Sequence, residues 1–262
     1  STLAAAVASA AADMGRSVVL VDGAAGGAGI DVVLGIEHVP GVKWPDLAGC
    51  RGPVDGPGLL SRLPHSGSVA VLSHCRESAV RVGGTAVQGV LTGLVDVVDL
   101  VVLDAPRDWA LDPARVGVVH RDPRIDHTMI GMPAAHRTAD LASNDRPMAD
   151  LALADLPVVD IAVIVSRTGV IELAALAATA PRVAARVAQT HLILRGRGVS
   201  RALARDVETA LDLPVLGVLD DDADVLRDLA HGIPPGRSRG SHGAVVGRLL
   251  DLVGPTRGQV AS

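Results

Sequence analysis

Residues 17–23 read SVVLVDG, an unbroken run of aliphatic, mostly β-branched residues that ends in an aspartate. Such a run is typical of a strand that is buried on both faces of a parallel sheet. The sequence contains more runs of this kind, so it predicts an open sheet of six strands, with the remaining five at residues 69–72, 100–103, 161–165, 191–194 and 214–219.

Helical patterns alternate with these strand runs. Residues 1–14 are rich in alanine, place their larger apolar side chains on one face and stop at Gly15, as a helix does. Alternating strands and helices form right-handed βαβ units with helices on both faces of the sheet. The chain is therefore predicted to be a doubly wound, mostly parallel α/β domain, with further helices at residues 85–94, 170–187, 200–211 and 222–230.

Two segments depart from this alternation within a single domain predicted to span residues 1–262. Residues 107–156 are rich in proline, histidine and aspartate and contain no clear strand, which indicates an insertion or an irregular segment. Residues 233–262 are predicted to form a linker, IPPGRSRG, followed by a C-terminal helix at 241–253.

Composition limits the classes of function. The net charge of −5 disfavours a general polyanion-binding surface, and the absence of Phe and Tyr disfavours base stacking, so no specific nucleic-acid partner is expected. Two cysteines are too few for a disulfide framework or a zinc site. No apolar run is long enough to span a bilayer, and residues 1–14 lack the basic start of a signal peptide. We expect a cytoplasmic protein.

Two aspartates follow predicted strands. Asp22 ends the first run and Asp104 ends LVVLDAP at residues 100–106, so both should lie at one edge of the sheet, where open α/β sheets bind ligands. In a P-loop protein such an aspartate reaches a magnesium ion or its coordinating water. An aspartate at a strand end also caps turns, and the sequence leaves both interpretations open.

The pair Ser1-Thr2 opens the first predicted helix. A Walker A loop ends in Lys-[Ser/Thr] and leads into a helix whose N-terminus holds phosphate, although Ser-Thr is also an ordinary helix cap. The glycine-rich stretch at 23–29 lacks the lysine of such a loop, so it is interpreted as a flexible loop beside the site. The strand and glycines of such a loop do not precede Ser1 in this sequence, so the domain is expected to lack its N-terminal strand and phosphate loop. About ten residues before Ser1 would distinguish a Walker-type glycine loop, a dinucleotide GxGxxG and neither.

Several blocks of the sequence together resemble the MinD/ParA superfamily of P-loop ATPases, and more closely its CpaE-like actinobacterial branch of septum site-determining proteins. The most specific are GGAGIDVVLG at 26–35 and PGVKWPDLAG at 40–49. The others are STLAAAVA at 1–8, VVLVDG at 18–23, LPHSGSVAVLS at 63–73, VDLVVLDAPR at 98–107, VDIAVIVSRTGVIELAA at 159–175, LILRGRG at 192–198 and the stretch from 211 to 235.

The resemblance implies roles for individual residues. Ser1 and Thr2 would end the phosphate loop and contact the nucleotide, and Ser1 with Asp104 would hold Mg²⁺. Asp22 would be the first switch aspartate and Asp104 the Walker B carboxylate, so these two are the catalytic candidates. Arg195 would border the adenine of ATP.

The same resemblance implies an ATP- and Mg²⁺-dependent switch that forms a homodimer. Such a protein would act with cell-division or secretion/pilus proteins to place the septum or position that apparatus. The family's second switch acid falls at Ala24, which predicts weak or lost ATP hydrolysis.

Two alternatives remain open at this stage. In a Rossmann-type NAD(P)-dependent oxidoreductase Asp22 would bind an adenosine ribose, but this needs GxGxxG upstream, and the chain has no Tyr to act as catalytic acid. The chain could also be a nucleotide-free scaffold that keeps only the fold.

The C-terminal helix carries an apolar stripe formed by Val245, Val246, Leu249, Leu252 and Val253. A membrane-surface helix needs several basic residues and an aromatic anchor, whereas this helix offers Arg248, an opposing Asp251 and no aromatic residue. We therefore predict that it docks on the body of the domain, in preference to peripheral membrane contact.

Overall fold

The computed structural model describes residues 1–24, 27, 29–76, 78, 80, 82–106, 156, 159–187, 189–221, 223–231 and 240–254. The predicted insertion at 107–156 lies outside this part of the chain except for Leu156, and the predicted linker lies outside it except for Gly240. Among the described helices, none is long and apolar enough to cross a membrane.

The first sheet is built around β1 (Val18–Asp22), which is buried along its whole length as its β-branched run predicts. It pairs in parallel with β3 (Val69–Leu72) on one side and with β4 (Leu100–Asp104) on the other. A two-residue strand, β2 (His65–Ser66), adds to β3 in antiparallel orientation. The strand order is β2-β3-β1-β4.

The second sheet contains β5 (Ile161–Arg167), β6 (Gln189–Arg195) and β7 (Val215–Leu219), all parallel, in that order. The six predicted strands therefore all exist, but they do not form the one continuous sheet that the sequence predicted. Where the chain is described, no hydrogen-bonded ladder joins β4 to β5. In the described residues β4 pairs only with β1 and β5 only with β6, so each keeps an unpaired edge.

The unpaired edges are apolar and partly exposed. Every residue of β4 is only half-buried, and Val165 in β5 is 46% exposed. The sheets nevertheless share a core, because Leu20 of the first and Ile193 of the second belong to one buried cluster. Leu100 of β4 and Val163 of β5 both pack against that same cluster.

The long helices lie close to their predicted positions: α1 (Thr2–Asp13), α5 (Gly84–Val95), α6 (Val170–Ala184), α7 (Arg201–Leu211), α8 (Ala223–Ala230) and α9 (Ser241–Val253). The sequence did not predict the short helices α2 (Ile30–Val33), α3 (Trp44–Leu47) and α4 (Gly56–Leu60), which span about one turn each and are too short to show a helical period.

Helices cover both faces of the first sheet, which confirms the doubly wound arrangement. On one face α1 packs against β1, β3 and β4, and α9 packs against both α1 and β7. On the other face α5 packs close to the backbone that leads into α4. A Cβ on Gly89 or Gly93 of α5 would collide with the carbonyl oxygens of Gly52 and Val54, so this approach requires glycine.

The C-terminal helix docks as predicted. Val245, Val246, Leu249 and Leu250 are all buried, with exposed fractions between 1% and 8%. The guanidinium of Arg16 donates a hydrogen bond to the carbonyl of Gly254, which ties the end of α9 to the end of α1. The apolar stripe therefore belongs to the core of the domain.

Candidate functional site

The two predicted carboxylates lie at one edge of the first sheet. Asp22 and Asp104 are register partners at the C-terminal ends of the parallel strands β1 and β4. The amide of Gly23 donates to the carbonyl of Asp104 over 3.0 Å, which holds the two strand ends together. This confirms the prediction that both aspartates share a rim.

Ser1 meets Asp104 at that rim. The Ser1 hydroxyl donates a 2.6 Å hydrogen bond to Asp104 Oδ2, and the backbone nitrogen of Ser1 lies 3.0 Å from Oδ1. The Asp104 side chain is 16% exposed, and Thr2 begins α1 directly behind Ser1. A hydroxyl and a carboxylate side by side form the oxygen-only donor set that Mg²⁺ prefers, so these residues fit that ion.

Asp22 is held differently, because the residue is only 2% exposed and each carboxylate oxygen accepts a backbone hydrogen bond. Oδ1 accepts from the amide of Ala24 and Oδ2 from the amide of Ile30, each over 3.0 Å. The Asp22 side chain therefore closes the base of the glycine-rich loop. Each Asp22 oxygen accepts one of these backbone hydrogen bonds and keeps a second lone pair.

Burial raises the pKa of Asp22, and the negative charge of Asp104 acts in the same direction. The amides of Ala24 and Ile30, and the charge on His74, oppose this shift. The raised pKa means that burial disfavours the ionised form of Asp22, and that the two backbone hydrogen bonds offset only part of this effect.

The sequence did not single out Asp31, which follows the loop in α2. Its carboxylate is 1% exposed and binds Lys43 Nζ at 2.9 Å and Arg76 Nη1 at 3.2 Å. Burial would raise the pKa of Asp31, but the hydrogen bond from Lys43 and the charges of Lys43 and Arg76 lower it below its usual value. The available signal was an acid inside the apolar stretch GIDVVLG, together with Lys43, the only lysine in the chain.

Trp44 contacts the end of β1 at Asp22. Its indole donates a 2.7 Å hydrogen bond to the carbonyl of Asp22, and its ring lies 6.2 Å from that of His74. Burial lowers the pKa of His74, partly offset by the charges of Asp22 and Asp31. Ser73 Oγ and His74 Nε2 are buried beside this ring without a hydrogen-bond partner in the described structure.

Arg195 lies elsewhere, at the C-terminal end of β6 in the second sheet. Its Nε donates to Asp221 Oδ1 over 3.0 Å at the border of a cavity of about 350 Å³. Within the described residues Arg195 makes no hydrogen bond or ion pair with Ser1, Thr2 or Asp104. The structure therefore brings Ser1, Asp22 and Asp104 to one rim of the first sheet, with Thr2 at the start of α1, and Arg195 stands at the C-terminal end of a strand of the second sheet.

The two cysteines, Cys50 and Cys75, are both free thiols. Where the chain is described, no three His, Cys, Asp or Glu side chains come together as a ready-made metal site.

Comparison with known proteins finds similarity in structure. No family model and no curated protein sequence matches the chain. A ParA family ATPase from Chlorobium tepidum superimposes with a TM-score of 0.65 at 15% identity, over 96% of this chain and 92% of that one. The MinD cell division protein of Aquifex aeolicus gives 0.64 at 15% identity, over 97% and 91%.

A third similar structure is the septum site-determining protein MinD complexed with Mg-ADP from Pyrococcus horikoshii. It superimposes with a TM-score of 0.63 at 19% identity, over 97% of this chain and 91% of that one. Each match covers nearly the whole of both chains, so the likeness concerns the complete fold. The chain therefore has the α/β P-loop NTPase-like fold of the MinD and ParA-family ATPases.

Proposed function

We propose that this chain is a MinD/ParA/CpaE-like nucleotide-dependent switch that places the septum or positions a secretion or pilus apparatus, with ATP hydrolysis weak or lost. The observation that carries the proposal is the pairing of the Ser1 hydroxyl with Asp104 at 2.6 Å, at the C-terminal rim of the sheet. The MinD and ParA folds that superimpose on this chain belong to proteins described as cell-division proteins and ATPases.

In this proposal Ser1, Thr2 and Asp104 form the phosphate and Mg²⁺ end of the site. The N-terminus of α1 would present backbone amides to the phosphates, and Asp104 with the Ser1 hydroxyl would supply oxygen ligands to the ion. Bound Mg²⁺ would neutralise phosphate charge. Asp22 would be the first switch aspartate, at the base of the adjoining loop, and Arg195 would border the adenine of the nucleotide.

A strand and phosphate loop N-terminal to Ser1 would complete this site. The unpaired edges of β4 and β5 support that arrangement, because both are apolar, both are partly exposed, and both pack on a shared core. A strand that ends next to Ser1 would run beside Asp104 and so along β4. It would bury Val165 and join the two sheets into one.

Weak hydrolysis follows from residue 24. The backbone amide of Ala24 binds Asp22, but its methyl side chain has no group that could position or activate a water molecule. A protein that binds ATP without hydrolysing it efficiently stays in the ATP-bound state, which partner proteins can then recognise. Cell-division partners are proposed because one similar structure is a MinC:MinD complex from Aquifex aeolicus, 16% identical. A homodimer is proposed from the resemblance of the sequence to the MinD/ParA superfamily.

The test is Mg-ATP binding, measured by titration calorimetry on the protein carrying its phosphate loop. We expect Asp104→Asn to remove the Mg²⁺ dependence of binding, whereas Asp13→Asn, an exposed acid at the far end of α1, leaves it intact. We expect the 262-residue chain alone to bind nucleotide poorly. Tight Mg-ATP binding that survives Asp104→Asn would contradict the proposal.

A further inference from the structure

Two adjacent residues, Lys43 and Trp44, contact the chain on both sides of the glycine-rich loop at residues 23–29. The Trp44 indole donates a 2.7 Å hydrogen bond to the carbonyl of Asp22, directly before the loop. Lys43 Nζ lies 2.9 Å from Oδ2 of Asp31, directly after Ile30. The N-terminus of α3 therefore bridges the loop base, which consists of Asp22–Ala24 and Ile30–Asp31.

The start of α3 is itself attached to the first sheet. The amide of Trp44 donates over 3.0 Å to the carbonyl of Ser73, the residue that follows β3, and the Trp44 side chain is fully buried. The amide of Lys43 donates over 2.9 Å to Asp46 Oδ2 in the first turn of α3. A shift of this segment would break these contacts and expose an indole ring, so it forms a firm support for the loop base.

The contacts continue from the loop base to Asp104. The Asp22 carboxylate accepts from the amides of Ala24 and Ile30, each over 3.0 Å, so one side chain joins the two halves of the loop base. The amide of Gly23 then donates to the carbonyl of Asp104 over 3.0 Å. A continuous series of contacts therefore connects the N-terminus of α3 with the carboxylate that the proposed function assigns to Mg²⁺.

The Lys43–Asp31 pair is the contact in this series that has the largest effect when it is lost. The Asp31 side chain is 1% exposed, and removal of one partner from a buried ion pair leaves a buried charge uncompensated. Arg76 Nη1 would remain 3.2 Å from Asp31 Oδ1, but the Arg76 side chain is 44% exposed. Without Lys43 the loop base should therefore detach from α3 more often.

We propose that Lys43 and Trp44 are positioning residues of the nucleotide switch, which hold the loop base assembled beside the Ser1–Asp104 pair. This inference rests on the proposed function. A ligand that needs the assembled loop base binds more weakly in proportion to the fraction of molecules in which the base is detached. Because linked equilibria are reciprocal, the loop base should also detach less often when Mg-ATP is bound.

The test is Mg-ATP binding to the protein carrying its phosphate loop, measured by titration calorimetry where circular dichroism shows each variant to be folded. Lys43→Met removes the charge, and Trp44→Phe keeps a ring but removes the indole N–H. We expect each variant to bind Mg-ATP about tenfold more weakly, within the usual range for coupled sites. Leu176→Ala, a truncation in the core of the second sheet that also lowers stability, is the control and should keep the unmodified affinity.

Hydrogen exchange supplies a second readout. The amides of Ile30 and Trp44 should exchange faster in Lys43→Met, and more slowly in the unmodified protein when Mg-ATP is added. Unchanged affinity in both Lys43→Met and Trp44→Phe would overturn the inference and leave the proposed function standing. Equal weakening in Leu176→Ala would reveal a general effect of lost stability and would also overturn it. Absence of Mg-ATP binding by the unmodified protein would instead overturn the proposed function, and this inference with it.

Discussion

Lys43 Nζ lies 2.9 Å from Asp31 Oδ2, and the carboxylate it neutralises is 1% exposed. The contact joins the N-cap of α3 to the first turn of α2, across the base of the glycine-rich loop. The Lys43 side chain is itself 18% exposed, so the pair is largely shielded from solvent. If the Lys43–Asp31 pair is broken, the Asp31 carboxylate keeps its charge at a position that water does not reach.

Replacing Lys43 should therefore destabilise the protein. We expect Lys43→Met to lower the free energy of unfolding by about 3 kcal/mol, the lower end for breaking a buried pair, since Arg76 still contacts Asp31. Urea denaturation measures the change. Arg62→Met, at an exposed position, is the control and should be nearly neutral; equal losses in the two variants would contradict the structural role.

Stability should depend on pH through His74. Burial lowers its pKa in the folded protein, so the unfolded chain takes up a proton first as the pH falls below about 6.5. The contribution of neutral His74 to the free energy of unfolding is complete above that pH. It is lost as the pH falls through the pKa of His74 in the folded protein. Urea midpoints between about pH 7.5 and 5 should fall less steeply in His74→Gln.

His191 is the comparison for this measurement, since burial also lowers its pKa, at a position in β6 away from the loop. His191→Gln should remove its own share of the pH dependence and leave that of His74. An unchanged slope in His74→Gln would show that this ring does not titrate with folding.

The two rim aspartates should respond differently to amidation. In Asp22→Asn one amide nitrogen must face the backbone donor of Ala24 or Ile30, so a buried N–H loses its acceptor at a cost of about 2 kcal/mol. Asp104→Asn keeps an oxygen for the Ser1 hydroxyl and should cost about 1 kcal/mol or less. Thermal unfolding of both variants measures the difference, and the reverse order would refute the assignment of Asp22 as the loop clamp.

Much of this arrangement could be predicted from the sequence because its signals are local. The β-branched runs located β1 and β4, and the shared polarity of parallel strands placed Asp22 and Asp104 at one rim. The division of the sheet could not be predicted, since a run such as LVVLD does not reveal whether both of its edges are paired. The Asp31–Arg76 contact spans 45 residues, and only the fold brings its ends together.

Residue 24 should control turnover. In the protein with its phosphate loop we expect Ala24→Asp to raise the rate of phosphate release from ATP, because the new carboxylate can position a water molecule. Ala24→Asn has a similar size without the charge and should raise it less. Phosphate assays under saturating Mg-ATP decide the matter, and vigorous hydrolysis by the unmodified protein would contradict the prediction.

The C-terminal helix α9 should stabilise the folded domain. Leu249→Ala removes a side chain that is 6% exposed and should cost about 3 kcal/mol, whereas Gly247→Ala, with open space around its Cα, should stabilise α9 by up to about 1 kcal/mol. Unfolding in urea measures both changes. Co-sedimentation with phosphatidylserine vesicles should be weak and independent of residues 241–262; tail-dependent lipid binding would overturn this.

The single lysine gives the chain one more property. An endoprotease that cuts after lysine has only one cleavable bond here, between Lys43 and Trp44. Trp44 is completely buried, its amide bound to Ser73 and its indole to Asp22, so that bond can enter a protease only after the segment detaches from the domain. The rate at which the chain divides into residues 1–43 and 44–262 would then follow the equilibrium between closed and detached forms of the loop base. The rate of cleavage at this one bond, followed by gel electrophoresis, therefore measures how often the Lys43–Trp44 segment opens.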